Sequence, residues 1–420
     1  MPTCCWQHGS DNLIAWFFRC AASRLKPLLI SAGTLVTCVG RGLPDTLDAL
    51  RHRRSGLAPC RFEAVALDTW VGEVPGVDDV AMPAGLADYD CRNNRLALLG
   101  LQQDAFIDRV AVAARRYGPD RIGVFLGTST SGILETETAY RHRDPVTGAL
   151  PSTFHYATTH SPYSVADFVS RILHLAGPAA TASSACSSSA KVFASAQRMI
   201  AAGMIDAAVV GGVDSLCLTT LYGFNSLELI STGPCRPFDA MRDGISIGEG
   251  AAFALLERAP DRASPDEVLL LGTGESSDAH HMSSPRPDGL GARLAMEAAL
   301  RSAGVVADDV DYINFHGTAT PSNDAAEGNA VAALFGARGP GSSTKGATGH
   351  ALGAAGAIEA LVAVLAVRHG FIPAGVNTTT IDPSIAVDYV TETRETPVRM
   401  ALSNSFGFGG TNCSLLVGRI

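Results

Sequence analysis

Apolar runs that recur ahead of glycines or other small residues constrain this chain more than any other feature. They are "PLLISAG" (27–33), "RIGVFLGT" (121–128), "AAVVGGV" (207–213), "AAFALLE" (251–257), "EVLLLGTG" (267–274) and "YINFHG" (312–317). Each has strand length, all but "AAFALLE" contain β-branched residues, and helical patterns lie between them, as in 187–203 and 292–304. Strands alternating with helices predict α/β layers around a largely parallel sheet. Two helical stretches match in character: the one after Cys186, and "GHALGAAGAIEALVAVLAVRHG" (349–370). Both open beside a reactive type of residue, run on small side chains and stop at glycine, so both suit burial on all sides. The repetition predicts an internal duplication, with "RASPDE" (262–267) as the connection near residue 265.

The chain has 420 residues, longer than the ~250–300 that one hydrophobic core serves, which agrees with two halves. With 46% hydrophobic and 17% charged residues, it is too apolar for disorder. A net charge of −9 disfavours nucleic acid and anionic membrane as general partners, leaving a local basic patch at Arg51, Arg53 and Arg54. Ten cysteines without a CxxC pair give neither a zinc spacing nor a disulfide framework, which predicts a reducing, cytoplasmic setting. In residues 1–27, Asp11 precedes the short apolar run and Arg19 follows it, unlike a secretory signal. That segment is expected to be an upstream extension or a loosely ordered arm. No charge-free run of transmembrane length appears. GxGxxG with a downstream acid, a Walker loop and HExxH are also missing, so dinucleotide and zinc-protease chemistry are disfavoured.

Candidate chemistry gathers at three places. Cys186, in "SSACSSSAKVFASA" (183–196), falls between a strand-like run and a helix. A helix N-terminus there would stabilise thiolate and lower the thiol pKa from ~8.5. His316, in "NFHGTATPSND" (314–324), sits at a strand end facing a loop. His350, in "STKGATGHALGAAG" (343–356), opens a helix expected to begin near Gly349. A backbone N–H at its Nδ1 would leave Nε2 as donor. Glu359 lies on an otherwise apolar helix and needs a partner, for which Lys345 is the candidate. Taken singly, each has a bland alternative: a small buried hydrophobe, a structural histidine, a surface lysine.

Taken together, "SSACSSSA", "NFHGTATPSND", "STKGATGHALGAAGAIEA" and "SNSFGFGGTN" resemble the β-ketoacyl-acyl carrier protein synthases, the elongating condensing enzymes of the thiolase superfamily, over roughly residues 28–420. The resemblance implies a five-layered αβαβα fold. It divides the chain into an extension (1–27), a half with the nucleophile (28–265) and a half with the catalytic histidines (266–420). It makes Cys186 the acyl acceptor and His316 and His350 the donors that assist malonyl decarboxylation. Lys345 and Glu359 become a buried supporting pair, with Asp324 and Glu327 in the same network. The N–H groups of Cys186 and Phe408 become an oxyanion hole, with Phe408 gating between Gly407 and Gly409. Thr318, Thr320 and Ser283 become contacts for the pantetheine arm. No metal and no further cofactor are implied, since acyl carrier protein supplies the arm. The partners implied are that carrier protein and a second subunit, either an identical copy or a chain-length factor.

The segment "GTSTSGI" (127–133) departs from the family's usual pocket wall. Thr130 stands where an apolar residue is common and Tyr156 where Phe is common. Hydroxyls there suggest an oxygenated, conjugated or aryl-capped chain, as in polyene, aryl-polyene or polyketide assembly, beside the fatty-acid alternative. Arg92 and Arg95 are candidates to meet an acidic carrier. Two readings compete: a chain-length-factor-like subunit, which would lack the nucleophile, and a coenzyme A thiolase, which would need a second catalytic cysteine. Cys413 is late enough in the chain, but its strand-like context makes it a packing residue.

Overall fold

A computed structural model describes residues 26–260, 262, 264–336 and 339–419; all but the last two residues of the 1–27 segment lie outside the described residues. Each apolar run forms a strand. The principal strands of the first half are β1 (Leu28–Thr37), β2 (Ile122–Gly127), β3 (Ala179–Ala182), β4 (Ala207–Asp214) and β5 (Gly250–Arg258). They are followed by β6 (Leu269–Ser277), β7 (Tyr312–Asn314), β8 (Pro340–Ser342), β9 (Asp388–Tyr389), β10 (Met400–Gly407) and β11 (Thr411–Gly418). The spatial order is β1-β5-β4-β2-β3 in one half and β6-β11-β10-β7-β8 in the other, with β9 beyond β8. Both halves repeat one pattern: the first strand pairs antiparallel with the last, which pairs antiparallel with a third, and the remainder are parallel. The start of β1 also pairs with β6 at Leu28↔Leu270, before a bulge between Ile30 and Ala32, so the two half-sheets are continuous.

The sheet is therefore mixed, which corrects the largely parallel expectation. Only residues 408–410 separate β10 from β11, and so short a link admits antiparallel pairing alone. The corresponding strands β4 and β5 keep that pairing across a long excursion.

Helices α1 (Arg92–Leu101) and α2 (Tyr163–Ile172) cover one outer face. On the other outer face lie α5 (Leu290–Ala303) and α6 (Pro321–Phe335), while α4 (Leu218–Ser226) stands apart beside the cleft described below. Between the half-sheets run α3 (Ser188–Ala201) and α7 (Ala355–His369), completing five layers. Residues 355–367 of α7 are all buried. The stretch Leu352–His369 is apolar and long enough to cross a membrane, but 89% of it is buried inside the protein, as a core helix must be. The central helices touch at Gly356, where an added Cβ would lie 2.7 Å from Ala190 N and 2.8 Å from its Cβ.

α7 begins at Ala355, later than the expected start near Gly349. Gly349 (φ 72°) and Leu352 (φ 48°) adopt left-handed backbone, which breaks the helix into a short turn at 345–348, a tight turn at 352–354, and α7. His350 is thereby left on the connecting loop.

Candidate active site

The small residues round Cys186 form a turn that aims its sulfur. Ala185 is left-handed at φ 52°. Such a conformation costs ~1–3 kcal/mol and persists only where neighbours fix it. Those neighbours are serines. Ser184 N donates to Ser188 Oγ at 2.8 Å, Ser187 Oγ donates to Ser184 O at 3.0 Å, and Ser187 Oγ meets Thr411 Oγ1 at 2.8 Å. The thiol is left two residues ahead of α3 and only 6% exposed. Burial pushes Cys186 up to about 11, opposed by the Lys345 charge and the Phe408 N–H. The expected lowering is thus overturned: loss of water round the sulfur outweighs the Lys345 charge and the Phe408 N–H.

His316 follows β7. Its backbone N and that of Gly317 donate to Glu327 at 2.8 and 2.7 Å. Asp324 accepts from Phe238 N and Ala319 N at 2.8 and 3.2 Å. These acids hold the loop backbone rather than the imidazole. Burial drives the Glu327 carboxyl up to about 7. Lys345 Nζ donates to Glu359 Oε1 and to His316 O, and lies 3.4 Å from His316 Nδ1. A lysine donor at Nδ1 leaves the proton of the neutral ring on Nε2. Burial also raises Glu359 to about 7, against the Lys345 charge.

His350 Nε2 is 3.1 Å from Cys186 Sγ. Its Nδ1 is buried and has no hydrogen-bond partner among the described residues, against the expected backbone N–H. Both imidazoles are held well below the ordinary histidine pKa, first by burial and then by the Lys345 charge, so both are neutral. Their rings meet edge to face with centroids 5.3 Å apart. One nitrogen of each ring and the sulfur lie within 4.8 Å of one another. By ligand type this trio could also hold a soft metal ion, although the Lys345 charge opposes a cation there.

The trio lines one cleft enclosing about 590 Å³ of empty space, open solvent at its mouth included. Phe224, Leu229, Ile245 and Phe408 make its apolar wall; Ser283, Thr318 and Thr320 lie on its polar side. Thr318 and Thr320 hydroxyls are 2.9 Å apart. Phe408, half-buried between Gly407 and the left-handed Gly409 (φ 77°), packs on Phe224 with ring centroids 5.6 Å apart.

Other expected residues do not join this cleft. Thr130 is fully buried and its hydroxyl donates to Asp214 at 2.8 Å. Tyr156 is 59% exposed and stacks on His160. Neither lines the cleft of this chain, because an acid distant in sequence captures one hydroxyl and the other ring lies at the surface. Arg92 is no docking residue: it is 4% exposed and bound by Glu249, Asp78 and Glu73 at 2.7–3.2 Å. Arg95 is forked onto Asp90 at 2.6 and 2.8 Å. The patch of Arg51, Arg53 and Arg54 is likewise paired, with Glu395, Glu392 and Asp48. Cys413 is buried in β11, away from the trio. The seven described cysteines are all free.

Comparison with known proteins places this geometry. The model for the N-terminal domain of beta-ketoacyl synthase matches residues 95–262, and that for the C-terminal domain matches 268–379. A 3-oxoacyl-[acyl-carrier-protein] synthase 2 of Coxiella burnetii is 32% identical over 430 residues, covering 94% of this chain and 99% of that one. The chain belongs to the β-ketoacyl synthase family. The mitochondrial 3-oxoacyl-[acyl-carrier-protein] synthase of Arabidopsis thaliana is 42% identical over 262 residues, 58% of this chain and 57% of that protein. Among solved structures, the ketosynthase ApeO of Xenorhabdus doucetiae, in complex with its chain length factor ApeC, aligns at a TM-score of 0.85. It is 38% identical, over 95% of this chain and all of that one. The ishigamide ketosynthase/chain length factor aligns at 0.85 with 27% identity, over 94% and 99%. This synthase therefore has the thiolase-type fold and is an acyl-transferring condensing enzyme.

Within the synthase, sequence reasoning overlooked Phe224 on α4, Leu229 and Ile245 in the apolar wall, and the Asp214 cluster. Asp214 had a signal: it ends the otherwise apolar strand β4.

Proposed function

We propose that Cys186 accepts an acyl chain from acyl carrier protein, and that His316 and His350 then drive decarboxylative condensation with malonyl-carrier protein. The observation that carries this reading is the convergence of the sulfur and both imidazoles within 4.8 Å in one cleft.

In the first half-reaction, Sγ attacks the thioester carbonyl and the carrier sulfur departs. The thiol proton passes by way of His350 Nε2, at 3.1 Å, to the departing thiol. A thiol pushed up to about 11 needs such a route, because little thiolate stands ready at neutral pH. The Phe408 N–H faces the sulfur and, with Cys186 N–H, would receive the carbonyl oxygen. In the second, His316 Nε2–H donates to the malonyl thioester oxygen while carbon dioxide leaves, and His350 joins it once its own ring proton has moved from Nδ1 to Nε2. The resulting carbanion attacks the acyl thioester and expels Sγ as thiolate, which takes up one proton from solvent as β-ketoacyl-carrier protein departs.

The polar side formed by Thr318, Thr320 and Ser283 suits the amides of the carrier's phosphopantetheine arm; the apolar wall suits the acyl chain. The intact nucleophile favours a catalytic subunit over a chain-length factor. A second subunit is part of this reading, because ApeO is solved with its chain length factor. Fatty-acid and polyene or polyketide assembly are both compatible with the cleft. Plain and polyunsaturated acyl donors of equal length, compared by kcat/KM, separate them. The central test is intact mass after incubation with acyl-carrier protein. One acyl adduct is expected, discharged on adding malonyl-carrier protein with formation of a β-ketoacyl product; no adduct would remove the proposal.

A further inference from the structure

We propose that Asp214 is a positioning residue for His350, acting through the turn between that histidine and α7. The proposal rests on the condensing role above. Asp214 is fully buried at the end of β4. Its Oδ1 accepts from Thr128 Oγ1, Ser129 N, Thr130 N and Thr130 Oγ1, all at 2.8 Å. Its Oδ2 accepts from Ser129 Oγ at 2.6 Å and from Gly353 N at 2.5 Å. A carboxylate offers about four lone-pair sites, so these donors saturate it and offset the cost of burying its charge.

The donors come from two separate segments. One is the 128–130 turn after β2; the other is Gly353, three residues beyond His350. The approach is close enough to require glycine: a Cβ at 353 would lie 2.8 Å from Asp214 Oδ2 and 3.0 Å from Ser129 N. Ser129 Oγ also accepts from Gly353 N, at 3.2 Å. Beside it, Leu352 holds φ 48°, a conformation maintained only by its surroundings.

The direction of the His350 ring depends on this clamp because its own Nδ1 has no hydrogen-bond partner among the described residues. Upstream, His350 N donates to Ser246 O at 2.8 Å, and His350 O accepts from Gly248 N at 3.0 Å. Downstream, the Asp214 cluster anchors the turn. The hydroxyls of Thr128, Ser129 and Thr130 complete the clamp and do not read the acyl chain.

The test uses the full-length protein labelled at histidine for NMR, with ring signals assigned from His316→Gln and His350→Gln. In Asp214→Asn, kcat for malonyl-carrier protein decarboxylation should fall about ten- to hundredfold, the scale of a misplaced catalytic group. KM should stay within about twofold, as for an interaction felt after binding. The His350 signal should move while that of His316 stays. Should Asp214→Asn fail to fold, Ser129→Ala decides. It removes two bonds of the clamp and should shift the His350 signal with a smaller fall in kcat, about three- to tenfold. An unmoved His350 signal in either folded variant, or a loss carried by KM, overturns the proposal. If the wild-type protein released no carbon dioxide, the condensing role would fail, and the ring signals would still report whether Asp214 sets His350.

Discussion

His316 and His350 lie edge to face, yet they are held in opposite ways. The former is fixed by side chains: Glu327 grips its backbone N, and Lys345 bonds its carbonyl and faces its Nδ1. The latter is fixed by backbone bonds on either side, and among the described residues its ring bonds only the sulfur. The difference teaches a division of labour. A ring whose proton is locked on Nε2 suits steady donation to an oxygen. A ring in contact with the thiol, with no partner at Nδ1, suits proton traffic in the acylation step.

The comparison is sharpened or broken by five measurements. The largest effect belongs to Cys186→Ala, which should abolish the acyl adduct in intact mass. Malonyl decarboxylation in this variant should persist, since both donors remain. Next, His316→Ala and His350→Ala should each slow decarboxylation about 10²–10³-fold, ~2.7–4 kcal/mol for a lost donor to a developing oxyanion. Only His350→Ala should also slow adduct formation in stopped-flow acylation; equal slowing by both would erase the distinction. Third, Lys345→Met should impair decarboxylation about tenfold or more and slow acylation less, through a thiol raised further by loss of the Lys345 charge. Its cost in stability is ~3–5 kcal/mol, because Glu359 is left buried and unpaired. Lys345→Met/Glu359→Gln should recover the melting temperature but not the decarboxylation rate.

The fourth concerns pH. With Cys186 raised to about 11, inactivation by iodoacetamide should climb about tenfold per pH unit from pH 7 to 10 and level off above 11. His350→Ala should alter this profile more than His316→Ala. The smallest effect concerns Glu327, whose folded carboxyl is raised from 4.5 to about 7. A raised carboxyl binds its proton more tightly in the folded state. Its contribution is therefore full below pH 4.5 and lost as pH rises to about 7. Relative to Glu327→Gln, the wild-type melting temperature should drop across that window by a few degrees, on the order expected for a domain of this size. A flat difference would mean that this carboxyl does not titrate.

The catalytic trio was legible because each member sits where local pattern changes: Cys186 between strand and helix, His316 at a strand end, His350 before an all-apolar helix. Strand positions were legible for the same reason. Pairing direction was not, since antiparallel β5 depends on partners far away in the chain. Thr130 was misread because its hydroxyl is oriented by Asp214, 84 residues downstream. Arg92 was misread because Glu73, Asp78 and Glu249 converge on it only after folding. The thiol pKa failed for a third reason: a helix terminus can be read from sequence, whereas the exclusion of water round a sulfur is a property of the packed interior.

The contact between Gly356 and Ala190 has a consequence for how this enzyme tolerates change. The helix that follows the nucleophile and the rod that carries the base's loop abut across little more than the methyl group of Ala190, so their separation is graduated in single methyl groups. A chain evolving a roomier or tighter chamber can revise the outer wall freely, yet at this junction even alanine would spread the reacting atoms apart.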